Sequence, residues 1–508
     1  MESEKNRIER WDCLELSFQG KSFQNPFSDA SIMGTFTGAQ ECKSVEGFYD
    51  GDGIYKVRFM PSFTGTYTYK ISGTFSDESF SGSFEATEPS ALNHGPVKVA
   101  DQYHFTYMDG TPYYQIGTTC YAWVHQPPEM QERTIETLKT SPFNKIRFCI
   151  FPKHYDYNLY EPISYPYEGT PCSIEGINRD NFLEYLPSNP ENRWDFTRFN
   201  PEHFRIIEGR IKELGKLGIE ADIILMHPYD RWGFSEMGRE NDLYYIRYVM
   251  ARFSPYRNVW WSLANEYDLC TGKSAQDWEQ IAETVVRYDP YSRLRSIHNC
   301  RYIYDFTKPW VTHCSIQRNE IYKSAANTKL WREQFGKPVV LDEAGYEGNI
   351  NYNWGNLTPE EMVRLFWTAT VRGGYCGHGE TYVREDNKLW WSHGNVLYGE
   401  SPKRLAFLHQ ILSEVPGLGL EPANIPKWDD NAATAAHPNY KGRYFLFYTG
   451  CGRPAFREFS FNPDKKYRVE VIDTWNMTID DKGIYSGKFY IDLPSRQYMA
   501  FRIRQTEE

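Results

Sequence analysis

Two carboxylates stand where apolar runs stop. In Asn258 to Asp268, NVWWSLANEYD, the stretch Val259 to Leu263 is too apolar for a strand with one wet face, so it reads as buried on both sides. Asn265 and Glu266 then sit where that strand leaves the sheet. Lys337 to Gly348, KPVVLDEAGYEG, repeats the arrangement, with Pro338 leading in a short strand that ends at Glu343. In a (β/α)8 barrel the strand C-termini form the mouth, so carboxylates placed there are catalytic candidates. The chemistry open to such a pair is glycoside hydrolysis: one carboxyl protonates the leaving oxygen, the other attacks the anomeric carbon or activates water, and a separation of about 5 Å marks a retaining enzyme. An amide beside the acid, Asn265, suits hydrogen bonding to a sugar 2-hydroxyl as charge develops. Strand alternation makes Glu343 rather than Asp342 the lumen-facing group, on the face of Val339 and Leu341. Glu266, flanked by Trp260, Trp261 and Tyr267, has the more apolar approach and is expected to hold the proton, while Arg147 keeps Glu343 ionised.

Other side chains fall at predicted strand ends and are candidate substrate ligands. Trp123 and His125 follow the first strand, Gln317 follows the sixth, and His227, His298, His313 and His378 all fall near one mouth. No H-E-x-x-H or similar spacing links the histidines, so hydrogen bonding to hydroxyls and to Glu343 is expected of them rather than a metal, and no cofactor is implied. Glu380 is a third strand-end carboxylate, read as a substrate ligand. Of Trp390 and Trp391, in the loop after strand eight, one is expected to form a stacking wall.

These side chains need a scaffold of alternating strands and helices. Strands are expected at Tyr113 to Thr119, Lys145 to Phe151, Ile219 to Met226, Val259 to Leu263, Leu294 to His298, Trp310 to Ser315, Pro338 to Glu343 and Tyr375 to Gly379. Helix signals separate them: Asn200 before Pro201, the Ser274/Asp277 capping box, Thr358 before Pro359, a helix near Asp242 to Phe253, and a last one from Pro402 to about Glu414. The Tyr-rich loop from Pro152 to Arg198 is long enough to be functional and is expected to narrow the cleft, favouring a chain-end substrate. Residues 1–95 alternate with period 2, as in Tyr55, Val57 and Phe59. There Asp50-Gly51-Asp52-Gly53 reads as a turn and not a calcium loop, because the closing glutamate is missing. Pro416 to Asn431 reads as a linker, followed by alternating strands. The predicted architecture is multidomain, α/β and all-β: a β-sandwich over 1–95, a catalytic (β/α)8 TIM barrel over 101–415, and a second β-sandwich over 432–508.

Composition narrows the partners. A net charge of −11 argues against a nucleic acid held by phosphate contacts. Aromatic residues make up 17% of the chain, with 15 Trp and 38 Tyr, which suits the apolar faces and hydroxyl rims of a carbohydrate. The start, MESEKNRIERWD, has no apolar core of a signal peptide, and no run reaches membrane-span length, so no membrane partner is expected. Ten cysteines without a C-x-x-C pair favour a reducing cytoplasm over a disulfide framework. Assembly as a homo-oligomer stays open.

The motifs WWSLANEYD, VVLDEAGYEG and ADIILMHPYDRWGF resemble those of clan A glycoside hydrolases, and specifically the apiosidase-like branch of bacterial barrel enzymes. GFYDGDGIYKVRFMP extends the resemblance to the N-terminal sandwich, immunoglobulin-like in form, that such proteins carry. The resemblance implies Glu266 as acid/base, Glu343 as nucleophile and Asn265 as the 2-hydroxyl ligand of a retaining glycosidase. One departure lies on strand one, where Gly117-Thr118-Thr119-Cys120 replaces the aspartate that relatives tend to carry after the glycine. The alternative reading is a non-catalytic carbohydrate-binding protein on a degenerate barrel.

Overall fold

The structure, a computed structural model, describes residues 6–318, 320, 323–423 and 431–506. Eight strands organise the middle of the chain: β1 (Gly117–Thr119), β2 (Lys145–Cys149), β3 (Glu220–Met226), β4 (Val259–Ala264), β5 (Arg295–Ser296), β6 (Cys314–Gln317), β7 (Val339–Glu343) and β8 (Tyr375–His378). All pairs are parallel and follow chain order, β8 returns to β1 through Gly117 and Thr118, and a bridge from His298 to Ser315 joins the β5 and β6 sides. The ring is thereby closed. Every residue of β3 and β4 is buried, as expected for parallel strands covered on both faces.

The two faces of the ring differ in chemistry. Trp261, Leu263, Val339 and Leu341 turn outward into the main core beneath the helices. Inside, Lys145 Nζ donates to Asp222 Oδ2 and to Asp342 Oδ1, each at 2.8 Å. Val339 and Leu341 therefore do not share a lumen face with Glu343. Asp342 points into the barrel, and Glu343 reaches the mouth because the pleat is interrupted at the strand end, where the β6–β7 register shifts between Ser315 and Gln317. The bottom of the barrel is plugged by the hairpin Val97–Ala100/His104–Tyr107, whose Phe105 packs on Trp260 and Tyr375 with ring centroids 5.2 and 5.1 Å apart.

Local signals place the helices. Asn200 Oδ1 accepts from Glu202 N at 3.1 Å, Phe204, Ile207, Ile211 and Leu214 are buried, and Gly218 at φ +70° ends the element in the left-handed region that glycine adopts freely. Both capping boxes form, at Ser274/Asp277 and Thr358/Glu361. The differences lie at boundaries. β1 starts at Gly117, not Tyr113, because Tyr113 belongs to the plug; β6 starts at Cys314, not Trp310. The loop after β2 contains a hairpin, Tyr167–Thr170 with Arg193–Phe199. The expected linker holds a strand, Leu420–Pro422, paired with Ala432–Ala435; residues 424–430 of that stretch, like residues 1–5, lie outside the described residues.

Before the barrel, a five-stranded and a three-stranded sheet enclose an aromatic core in which Phe36 stacks on Phe59 at 4.3 Å. The Asp50 to Gly53 turn joins two of these strands, with Asp50 N donating to Ile54 O at 2.8 Å. A buried ion network fastens this unit to the barrel. Arg58 donates to both oxygens of Glu208, at 2.6 and 2.9 Å, and Arg252 Nε donates to Glu208 Oε1 at 2.7 Å. The two guanidiniums hold the Glu208 carboxyl down at about 2 despite its burial. After the barrel come a six-stranded and a two-stranded sheet around Phe447, Phe459, Phe489 and Phe501.

Candidate active site

A cavity of about 300 Å³ opens at the C-terminal mouth of the ring. Glu266 and Glu343 both line it, with Asn265 between them on the wall. Glu266 adopts a left-handed backbone, φ 49° and ψ 57°, an arrangement that costs a non-glycine residue about 1–3 kcal/mol. That turn takes the chain out of β4 into the short helix Tyr267–Leu269, so two consecutive residues, Asn265 and Glu266, both face the mouth. Asn265 N donates to Met226 O and Tyr267 N to His298 O, both at 2.9 Å, which pins the turn to its neighbours.

Donors surround the two carboxylates unevenly. Tyr229 donates its hydroxyl to Glu266 Oε2, and the Cys300 thiol hydrogen-bonds the same carboxylate. Glu343 hydrogen-bonds the Tyr346 hydroxyl, while its Oε1 is buried without a hydrogen bond, 3.5 Å from His298 Nε2 and 3.8 Å from Arg147 Nη1. Burial dominates, and the Glu343 carboxyl is pushed up to about 8. The expectation that Arg147 keeps Glu343 ionised is corrected. Arg147 directs its hydrogen bonds to Asn265 Oδ1 at 2.8 Å and Ser262 Oγ at 3.0 Å, and burial raises the Glu343 carboxyl in spite of the guanidinium 3.8 Å away.

The predicted ligands divide into two sets. Gln317 and Trp391 line the cavity with Asn265; Arg147 and His298 stand directly behind it, His298 Nε2 lying 3.1 Å from Gln317 Oε1. The others do not reach it. Trp123 packs on Phe148 in the outer core, and Trp390 donates Nε1–H to Thr118 Oγ1 at 2.9 Å. His125 and His227 are spent on the carbonyls of Cys149 and Phe151, at 3.1 and 3.2 Å, and burial keeps His227 neutral by lowering it to about 3. His378 stacks on Phe143 and bonds Thr118. His313 precedes β6 and packs against Phe105 and Trp260 at the barrel floor, the opposite end from the mouth; the late start of β6 is the reason. Glu380 accepts the backbone N–H groups of Tyr398 and Gly399 at 2.7 and 2.8 Å, and so anchors a loop instead of meeting a ligand.

Several wall residues escaped the list of expected ligands, among them Tyr121, Lys153, Tyr155, Tyr229, Cys300, Tyr346 and Trp354. Tyr121 donates to Asn265 Oδ1 at 3.2 Å. Lys153 is 3% exposed, with its ammonium 3.7 Å from the ring centroid of Tyr121, 4.2 Å from that of Tyr229 and 4.7 Å from that of Trp391. A cavity-lining lysine has no spacing signature, and the turn after Glu343 that brings in Tyr346 is invisible to periodicity.

A closed parallel barrel with two glutamates and an amide at one cavity is the architecture of glycoside hydrolase barrels. The chain belongs to the apiosidase-like family, since residues 99–441 match the family described as "Apiosidase-like, catalytic domain". On either side, residues 7–74 match a domain of unknown function, DUF5060, and residues 428–504 another, DUF5605. A crystal structure from Bacteroides vulgatus, described as a candidate glycoside hydrolase, is 36% identical, covers 99% of this chain and 100% of its own, and superposes with a TM-score of 0.90. A glycoside hydrolase family 5 structure from the same organism is 14% identical over 81% of this chain and 94% of its own, with a TM-score of 0.60, and shares the fold. No curated protein sequence matches. Among the described residues no helix is long and apolar enough to cross a membrane.

Proposed function

We propose that the chain is a retaining, clan A-like glycoside hydrolase in which Glu343 is the nucleophile and Glu266 the acid/base. The observation that carries this reading is the presence of Glu266, Glu343 and Asn265 on one cavity at the strand C-termini. Glu343 offers one oxygen without a partner and one carboxylate interaction with Tyr346, the division that a nucleophile requires: a free lone pair and a fixed orientation. In the first step Glu343 attacks the anomeric carbon as Glu266 protonates the departing oxygen, giving a glycosyl ester; in the second, Glu266 removes a proton from water as it displaces Glu343. Glu343 must ionise before the first step.

The wall formed by Lys153, Tyr155 and Trp391 supports a chain-end mode on a short oligosaccharide or glycoside. The units over 1–95, read as an immunoglobulin-like sandwich, and over 432–508 are structural flanks to the catalytic barrel over 101–415. Ten free cysteines support a cytoplasmic setting. A panel of aryl glycosides, pentofuranosides included, tests the reading on wild type and Glu343→Ala with added azide. Turnover by wild type and azide-dependent rescue are expected; a folded wild type inert on every member leaves the binding-protein alternative.

A further inference from the structure

Lys153 is a buried cation at the edge of a cavity and makes no ion pair among the described residues, although Glu266 on the same cavity attracts it from beyond ion-pair distance. Three aromatic faces, of Tyr121, Tyr229 and Trp391, surround its ammonium within 4.7 Å. Such faces stabilise a cation through their quadrupoles and accept no strong hydrogen bond. Among the described residues no carboxylate lies within ion-pair distance of Nζ, and no acceptor takes any of its three N–H groups, although the other lysine buried inside this barrel, Lys145, is gripped by two aspartates. Burying an ammonium without a partner is costly, and burial pulls this one down to about 8. An ammonium buried at that cost beside a cavity can be satisfied by an anionic group on a ligand.

We propose that Lys153 is a specificity-determining residue that receives an anionic group, a carboxylate or sulfate ester, carried by the sugar bound in the cavity. The proposal rests on the carbohydrate-binding part of the functional reading and not on the hydrolytic step. The rest of the cavity is compatible with one negative charge at this end. Glu343 is faced by the Arg147 guanidinium 3.8 Å away and by His298, which burial keeps neutral. Glu266 is the carboxylate that shares the wall, and its Tyr229 partner, whose ring is one face of the Lys153 cage, stands between the two groups. A neutral sugar would leave the cation unpaired; an anionic one satisfies it with charge-assisted hydrogen bonds.

Calorimetric titration with D-galacturonate, D-glucuronate and galactose 6-sulfate, each beside galactose and glucose, tests this on the full chain. At least one anionic sugar is expected to bind roughly tenfold or more tightly than its neutral counterpart, with affinity falling as salt is raised. The uronate and sulfate arms tell the two anions apart. Lys153→Met should abolish the preference and Lys153→Arg should keep most of it, with melting curves showing both folded. Equal binding of charged and neutral sugars by wild type, or a preference that survives Lys153→Met, overturns the proposal. If Lys153→Met fails to fold, the wild-type comparison and its salt dependence decide alone. Turnover of neutral aryl glycosides without any anionic preference would sink this inference and leave the glycosidase reading standing, whereas Lys153-dependent anion binding without turnover of any glycoside would do the reverse.

Discussion

Arg147 donates Nη1–H to Asn265 Oδ1 at 2.8 Å, and this bond decides which end of the amide meets the ligand. A guanidinium has no lone pair to offer, so the Asn265 oxygen must face it; Tyr121 donates to the same oxygen at 3.2 Å. The Nδ2 group is left to the cavity as a donor. A donor fixed in place beside the acid can strengthen its bond to a sugar hydroxyl as the transition state forms, at no cost in reorganisation.

Asn265→Ala should therefore reduce kcat by roughly 10²-fold or more, with a smaller change in KM. Arg147→Lys should reproduce part of that loss, because a lysine cannot fork to Asn265 and Ser262. Steady-state kinetics on one aryl glycoside measures both, and an unchanged kcat in Asn265→Ala would remove the amide from catalysis.

The elevated Glu343 carboxyl predicts an unusual pH profile. With a leaving group that needs no proton, only ionisation of Glu343 limits attack, so kcat/KM should climb as pH rises through about 8. A profile for the activated substrate that declines through the same region would make Glu343 the proton donor instead.

Stability should depend on Glu208 in the acid range. Its folded carboxyl lies at about 2, below the ordinary value of 4.5, so its contribution is present above the ordinary value and drains away as pH falls toward 2. Glu208→Ala removes the carboxylate that Arg58 and Arg252 share, leaving Arg58 with Glu15 and Arg252 with Asp50, and should lower stability and flatten that acid limb. Chemical denaturation at several pH values checks it; a variant with unchanged midpoint would mean that the network contributes nothing to holding the first β unit on the barrel.

The two adjacent tryptophans should separate cleanly. Trp391→Ala removes a cavity wall and should raise KM while the fold survives, whereas Trp390→Ala empties a fully buried site and should cost about 3–5 kcal/mol of stability. Equal kinetic effects of the two in folded protein would contradict this assignment.

The barrel was legible where burial and capping speak locally. The all-apolar β4, the capped helix at Asn200 and the boxes at Ser274 and Thr358 announce themselves, and with them the two glutamates. Side-chain direction at strand ends was not legible. The expected face was inverted: Val339 and Leu341 turn outward, Asp342 lies within, paired with Lys145, and Glu343 reaches the mouth only because the pleat breaks at the strand end. The histidines misled for a related reason: a strand that starts four residues late carries His313 from the mouth to the floor, and buried imidazoles at His125 and His227 find backbone carbonyls that no pattern shows. Lys153 lies outside every regular element, and only the closed barrel reveals that aromatic rings gather round it while no acid comes within ion-pair distance among the described residues.

The covalent role of Glu343 is the central claim, and the anomeric configuration of the first product formed by wild type tests it most directly. NMR recorded before mutarotation should show retention, and Glu343→Ala with azide should give a glycosyl azide of inverted configuration. Inversion in the wild-type product would contradict the covalent route and leave Glu343 as a general base at most.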